Sequence, residues 1–363
     1  MSRFMSAAYR ALEEYVPGEQ PRDRTYIKLN TNESPFPPSP ATVAALDCEA
    51  IEQLCLYSDP ESRALKEGLA NLYGRRSSEV FVSNGSDDIL NFAFMAFGKD
   101  HGVIFPDITY GFYKVFSELH HLDAEIVPLC EDFTLPKKRF ENTGRMVVIA
   151  NPNAPTGIAL SRDEVERIVA TNPDRIVLID EAYVDFGAES ALPLVEKYDN
   201  LLVVQTYSKS RSMAGARLGF AFANEAIIRD LEKIKYSTNP YAINRLTLRA
   251  GEMAVDERDY YRQNCRIIAS NREFAEEELR RLGFFVTDSK ANFIFAESPE
   301  IDGETLYREL RARGILVRYF GKGRIRNFNR ITVGTRADMD ALIEAVTEIL
   351  DEKRNGGENR ANG

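Results

Sequence analysis

Tryptophan is absent from the 363 residues, histidine occurs three times and cysteine four times. His101, His120 and His121 leave histidine-based acid–base chemistry few candidates. The adjacent pair His120–His121 falls at a predicted helix end, where a dipole partner or surface pair is expected. Cys48, Cys55, Cys130 and Cys265 form no CxxC and have no neighbouring histidines. A zinc site is therefore not expected, and buried free thiols in a reducing cytoplasm are. No apolar run approaches 18 residues, so no helix should span a membrane. The first residues, MSRFMSAAYRALEEYVPGE, lack the apolar stretch of a secretory signal. Basic residues are in deficit, 46 against 56 acidic, and the net charge of −10 disfavours general nucleic-acid binding.

What is present is ordinary for a globular protein: 44% hydrophobic and 28% charged residues. A chain of this length buries about 75% of its unfolded surface and is expected to divide into domains. Residues 1–33 read as an extended N-terminal arm. Pro35, Pro37, Pro38 and Pro40 then exclude a helix or an interior strand. From about Tyr57 helix and strand alternate. Asp59-Pro60-Glu61 is expected to open a helix whose face carries Leu65, Leu69 and Leu72 and which stops at Gly74. Short apolar runs at Val80 and Val103 read as strands, and those at Met146, Ile176 and Leu201 as buried strands, covered on both faces. A capping box, Ser161 with Glu164, opens one intervening helix. The predicted fold class is α/β: a large domain over residues 34–250 with a mostly parallel, doubly wound sheet, and a smaller α+β domain over residues 251–353. Residues 354–363, polar and rich in Gly and Asn, read as a disordered tail.

In open α/β sheets ligands lie beyond the carboxyl ends of the strands. Those ends carry Ser83-Asn84-Gly85-Ser86-Asp87, Asn151-Pro152-Asn153-Ala154-Pro155-Thr156-Gly157, Asp180-Glu181-Ala182-Tyr183 and Thr206-Tyr207-Ser208-Lys209, with Arg217 following. Gly85 before a helix N-terminus makes an anion site. Ser86, Thr206 and Ser208 add hydroxyl groups, and Arg217 adds a fork matched to phosphate. Asp180 ends an apolar strand and needs a cation partner. Lys209 offers a nucleophilic amine. Taken singly, Asp180 reads as a helix cap, Lys209 as a solvated lysine, Gly85 as a turn glycine, and Tyr110 and Tyr183 as core aromatics. Together, a phosphate cradle, a buried acid and a lysine suit pyridoxal phosphate. No GxGxxG follows a strand, which disfavours a dinucleotide fold.

Eight ordered segments carry a resemblance: NxNESPFPP, YSDPES, SNGSDD, PDITYGFY, NPNAPTG, DEAYVDF, TYSKSRSMAGARLGF and RITVGTR. The chain resembles the fold-type I pyridoxal-phosphate enzymes, the aspartate-aminotransferase superfamily, and looks most like the histidinol-phosphate aminotransferases among them. The resemblance implies that Lys209 joins the cofactor covalently and then moves the reacting proton. It implies that Asp180 pairs with the pyridinium, Tyr183 donates to the cofactor phenolic oxygen and Tyr110 stacks on the ring. Gly85, Ser86, Ser208 and Arg217 would hold the phosphate, with Thr206 and the Asp87 backbone. Tyr57 would reach the phosphate from the partner subunit of a homodimer. The family motif has Asn where this chain has Ala154. Either Asn153 substitutes for it or Tyr183 is the sole partner of that oxygen.

Arg311, Arg313, Arg318, Lys322, Arg324, Arg326, Arg330 and Arg336 lie in a span without Asp or Glu. Most read as a solvated basic face. Arg318 and Arg330 flank predicted strands, and the resemblance implies that they bind the anionic end of the substrate. Tyr15, Asn32 and the segment Tyr241 to Asn244 would close the site. The implied activity is transamination between histidinol phosphate and 2-oxoglutarate, in the cytoplasm. Its alternatives are an aromatic aminotransferase, a threonine-phosphate decarboxylase or a non-catalytic binding protein on the same fold.

Overall fold

The computed structural model describes residues 2–361. The arm contributes β1 (Ile27–Lys28). The strands of the main sheet follow: β2 (Val80–Ser83), β3 (Val103–Pro106), β4 (Ala124–Val127), β5 (Met146–Ala150), β6 (Val177–Asp180), β7 (Leu201–Thr206) and β8 (Gly219–Ala223). Their order is β2-β8-β7-β6-β5-β3-β4. Within it β7-β6-β5-β3-β4 pair in parallel, and β8 runs antiparallel to both β7 and β2. Every residue of β5, β6 and β7 is buried. Helices cover both faces, which is why these strands read as unbroken apolar runs rather than alternating ones. This is the doubly wound α/β architecture expected.

The helices 225–238, 245–256 and 258–281 lead on to a smaller sheet. Its strands are β9 (Phe285–Val286), β10 (Phe293–Glu297), β12 (Arg318–Tyr319) and β13 (Phe328–Thr332), in the antiparallel order β12-β13-β10-β9. Between them β11 (Ile315–Leu316) pairs in parallel with β1, which fastens the arm beside this sheet. The last helix spans Arg336–Ala361 and continues through most of the segment expected to be a disordered tail. Arg354 on it forms a forked pair with Glu300, an anchor far from the tail in sequence.

Local chemistry explains several element ends. Gly74 ends helix 63–73 at φ +64°, a conformation other residues adopt only with strain. Ser161 and Glu164 form the reciprocal cap expected of them. Two expectations need correcting. Asp59-Pro60-Glu61 does not open a helix: the Asp59 carboxylate accepts from the backbone N–H groups of Glu61 and Arg63 in a turn, and the helix begins at Arg63. Pro40 does begin a short helix, at the first position where its missing N–H costs nothing, with Ser39 as cap.

The cysteines are free, but only Cys265 is buried; Cys48, Cys55 and Cys130 are exposed. Cys48 and Cys55 lie on a segment whose apolar side chains Ile51, Leu54 and Leu56 also face outward. Nothing in the protomer covers that segment, so its small thiols are not drawn inside.

Candidate active site

The carboxyl ends of β2, β6 and β7 meet on one side of the main sheet. Asp180 is the last residue of β6 and is 4% exposed. Burial raises its carboxyl to about 6, a shift limited by the Tyr113 hydroxyl, which donates to Asp180 Oδ2 at 2.8 Å, and by the Ala182 N–H. A carboxylate in this setting is short of a cation. Tyr113 escaped the sequence reading, although it lies three residues beyond Tyr110 in the same motif.

Lys209 sits in the loop after β7. Its Nζ donates to the Thr31 carbonyl at 3.3 Å and lies 5.7 Å from the centre of the Tyr183 ring. Burial first, and then the Arg330 guanidinium, bring its ammonium down to about 8. The free amine is then more accessible near neutral pH than that of a solvated lysine. The Tyr183 hydroxyl accepts from Asn32 Nδ2 at 3.0 Å. Asn32 is in the left-handed region at φ +56° and is fixed by Thr332 and Asn292. Its amide therefore orients Tyr183.

The residues expected to cradle an anion meet where β2 turns into helix 86–97. Gly85 has φ +89°, and a Cβ there would meet Arg217 Nη2 at 2.8 Å. Gly219, also missed in the sequence, allows β8 to approach: its Cβ would lie 2.4 Å from the Ser86 nitrogen. Arg217 reaches Ser208 Oγ at 3.3 Å and Asp87 Oδ2 at 3.0 Å. Thr206 donates to Ser208 Oγ at 3.0 Å. The Asp87 carboxylate also accepts from Tyr110 at 2.8 Å, so its side chain orients both Arg217 and Tyr110. Asn153 spends both amide hydrogens on Ile108 O and Thr156 Oγ1, while its Oδ1 accepts from Thr109. Ala154 beside it is buried.

The arm and the small sheet close the other side. Arg318 and Arg330 are register partners across β12 and β13. Arg330 donates one bond, to Asn30 O at 3.0 Å, and its buried Nε has no partner. Arg318 spends its fork on the carbonyls of Val16 and Pro17, at 2.7 and 2.9 Å. That tether holds Tyr15 against Phe112, with ring centres 4.3 Å apart. Tyr57 lies apart from this group, 79% exposed and stacked on Tyr241. Asn244 caps helix 245–256.

The arrangement joins a depressed lysine, a buried acid, a group of hydroxyls about Arg217 and a guanidinium, Arg330, with an unpaired Nε. Residues 24–346 match the profile of aminotransferase class I and II. The chain belongs to this family. Among its relatives, histidinol-phosphate aminotransferase of Brachyspira hyodysenteriae is 48% identical over 96% of this chain and 99% of its own length. That of Clostridium acetobutylicum is 46% identical over 96% of this chain and 100% of its own. The fold matches a solved histidinol-phosphate aminotransferase of Sinorhizobium meliloti in complex with pyridoxal-5'-phosphate, with a TM-score of 0.84 and 21% identity over 97% of this chain and 99% of that one. An L-threonine-O-3-phosphate decarboxylase of Porphyromonas gingivalis shares the fold with a TM-score of 0.79 and 21% identity, over 90% of this chain and 99% of that one. No helix among the described residues is long and apolar enough to cross a membrane.

Proposed function

We propose that this aminotransferase uses pyridoxal phosphate to exchange the amino group between histidinol phosphate and 2-oxoglutarate. The near-full-length relatives bearing that name support the substrate. The observation that carries the reading is Arg330: a part-buried guanidinium whose buried Nε is unpaired, close enough to Lys209 to depress its pKa. A buried donor left unused on a cation is costly unless an anion completes it.

Arg217, Ser208, Thr206, Gly85, Ser86 and the Asp87 backbone would hold the cofactor phosphate. Asp180 would hold a proton on the ring nitrogen, Tyr183 would face the phenolic oxygen, and Tyr110 would cover the ring. Asn153 shapes the pocket wall from beside Ala154. Pyridoxal phosphate bound here supplies an electron sink for negative charge at the carbon that bears the amino group. Lys209 would bind the cofactor and then carry the proton to and from that carbon. Tyr15 and the arm exclude water from the reacting amine.

Arg330 would bind the substrate anion, joined by Arg318 once its fork leaves the Val16 and Pro17 carbonyls. Each charge-assisted bond to a buried anion contributes on the order of 1.5–3 kcal/mol, which at 1.4 kcal/mol per decade is roughly ten- to hundredfold in specificity. Arg330→Ala should lose that factor with both histidinol phosphate and glutamate. Arg318→Ala should affect the phosphate substrate more. Lysine should restore little at either position, because a point charge makes no forked contact. Single-turnover half-reactions with each substrate measure this. Equal small losses for all substrates would reduce both arginines to a solvated basic face.

The reading includes a homodimer, supported by the uncovered apolar side chains of Ile51, Leu54, Leu56 and Tyr57. Tyr57 would then serve the partner's cradle. Mixed dimers of Tyr57→Phe with Lys209→Ala should hold one doubly damaged site and one intact site. A stable, active monomer in sedimentation would refute it. Three exposed free thiols fit a reducing compartment, the cytoplasm.

A further inference from the structure

A buried polar chain that the proposed reaction does not use lies directly behind the active site. Asp180 faces Tyr113 and the site, whereas Glu181, the next residue, leaves the strand end in the other direction. Glu181 is 1% exposed. Its Oε2 accepts from Ser190 Oγ at 2.7 Å and from Gln205 Nε2 at 2.8 Å, and its Oε1 accepts from Ala191 N–H at 2.5 Å. The chain continues from there. Gln205 Oε1 accepts from the Tyr73 hydroxyl at 3.2 Å, and that hydroxyl oxygen accepts from Arg211 Nη2 at 2.7 Å. Arg211 is buried over the rings of Tyr207 and Phe220 and lies 3.5 Å from Asp185, which also accepts from Ser210 at 2.5 Å.

The members are neighbours in sequence of the residues that form the site. Glu181 follows Asp180, Gln205 precedes Thr206, Ser210 and Arg211 follow Lys209, and Asp185 lies two beyond Tyr183. One connected set of hydrogen bonds thus joins β6, β7, the lysine loop and the turn after Tyr183. Burial pushes the Glu181 carboxyl up to about 7, with three donors opposing the shift and Asp185 the charged neighbour adding to it. Buried charges are a weak means of gaining stability, because desolvation offsets attraction. A satisfied network in a low dielectric is, in contrast, stiff.

We propose that Glu181 is a positioning residue: through Gln205, Tyr73 and Arg211 its carboxylate fixes the loop that carries Lys209 relative to Asp180. The inference rests on the aminotransferase reading but not on which amine is the substrate.

The test uses holoenzyme of wild type, Glu181→Gln, Gln205→Glu and the double swap. Glu181→Gln leaves one acceptor oxygen for three donors and sets an NH2 group against one of them, which disrupts the chain. Its kcat should fall about tenfold, the scale expected when a reacting group is misplaced by a fraction of an ångström, with KM for both substrates unchanged. The swap again sets a carboxylate against an amide and should restore most of kcat, a coupling that independent sites do not show. Without substrate, the pH midpoint of the absorbance change of the Lys209-bound cofactor should move in Glu181→Gln and return in the swap. This readout stands whichever amine proves to be the substrate, so a failure of the histidinol-phosphate reading is seen separately, in the wild type. A lowered melting temperature with unchanged kcat and midpoint, or a swap no better than the two single changes combined, would overturn the proposal. If Glu181→Gln does not fold, Tyr73→Phe decides: it deletes one hydroxyl from the chain, and kcat should fall in the same direction. An unchanged kcat there would also overturn it.

Discussion

Lys209→Ala is expected to bind pyridoxal phosphate without joining it and to turn over at least about a thousandfold more slowly, since it loses both a nucleophile and a proton carrier worth 10²–10⁴. Binding should survive because no member of the anion cradle depends on Lys209: Arg217 is held by Ser208 and Asp87, and Thr206 by Ser208. Folding should survive too, because the one hydrogen bond of Nζ, to Thr31 O, is long. Removing a part-buried amine depressed to about 8 relieves a desolvation cost. The measurement pairs steady-state transamination with the absorbance of the bound cofactor. Near-normal turnover would remove Lys209 from the centre of the mechanism.

Asp180→Asn should be nearly as damaging, with a rate loss on the order of a thousandfold against little change in melting temperature. An amide has the size of the carboxylate but cannot hold a proton on a ring nitrogen. Tyr113→Phe supplies the graded companion. The Tyr113 hydroxyl lowers the Asp180 pKa, so without it the value rises above about 6. The working form of Asp180 is ionised, and a raised pKa means that ionisation is lost at higher pH. The acid limb of kcat/KM should therefore move upward in Tyr113→Phe. Wild-type rates in Asp180→Asn, or an unmoved acid limb in Tyr113→Phe, would remove the charge from the argument.

The parts of this design that were legible in the sequence are those where one residue type has one physical use. The runs Met146–Ala150 and Leu201–Val204 announced strands covered on both faces because water-facing positions are missing from them. Asp180 and Lys209 stood out as charges at the ends of such runs. Gly85 stood out as a glycine set before a helix N-terminus. Tyr113 was hidden because a buried tyrosine reads as core until its hydroxyl partner is known. Gly219 was hidden because its use is the approach of one backbone to another across β2 and β8. Arg318 was legible as a cation beside a strand, but its hold on the Val16 and Pro17 carbonyls depends on where the arm returns, which no local pattern encodes. The exposure of Cys48 and Cys55 followed from an apolar segment left uncovered by its own chain.

The most direct test adds histidinol phosphate, phenylalanine and threonine phosphate separately to the purified holoenzyme and follows the cofactor absorbance through one half-reaction. The account expects rapid, complete conversion with histidinol phosphate, reversed by 2-oxoglutarate, and much slower change with the other two. A preference for phenylalanine, or release of carbon dioxide from threonine phosphate, would contradict it.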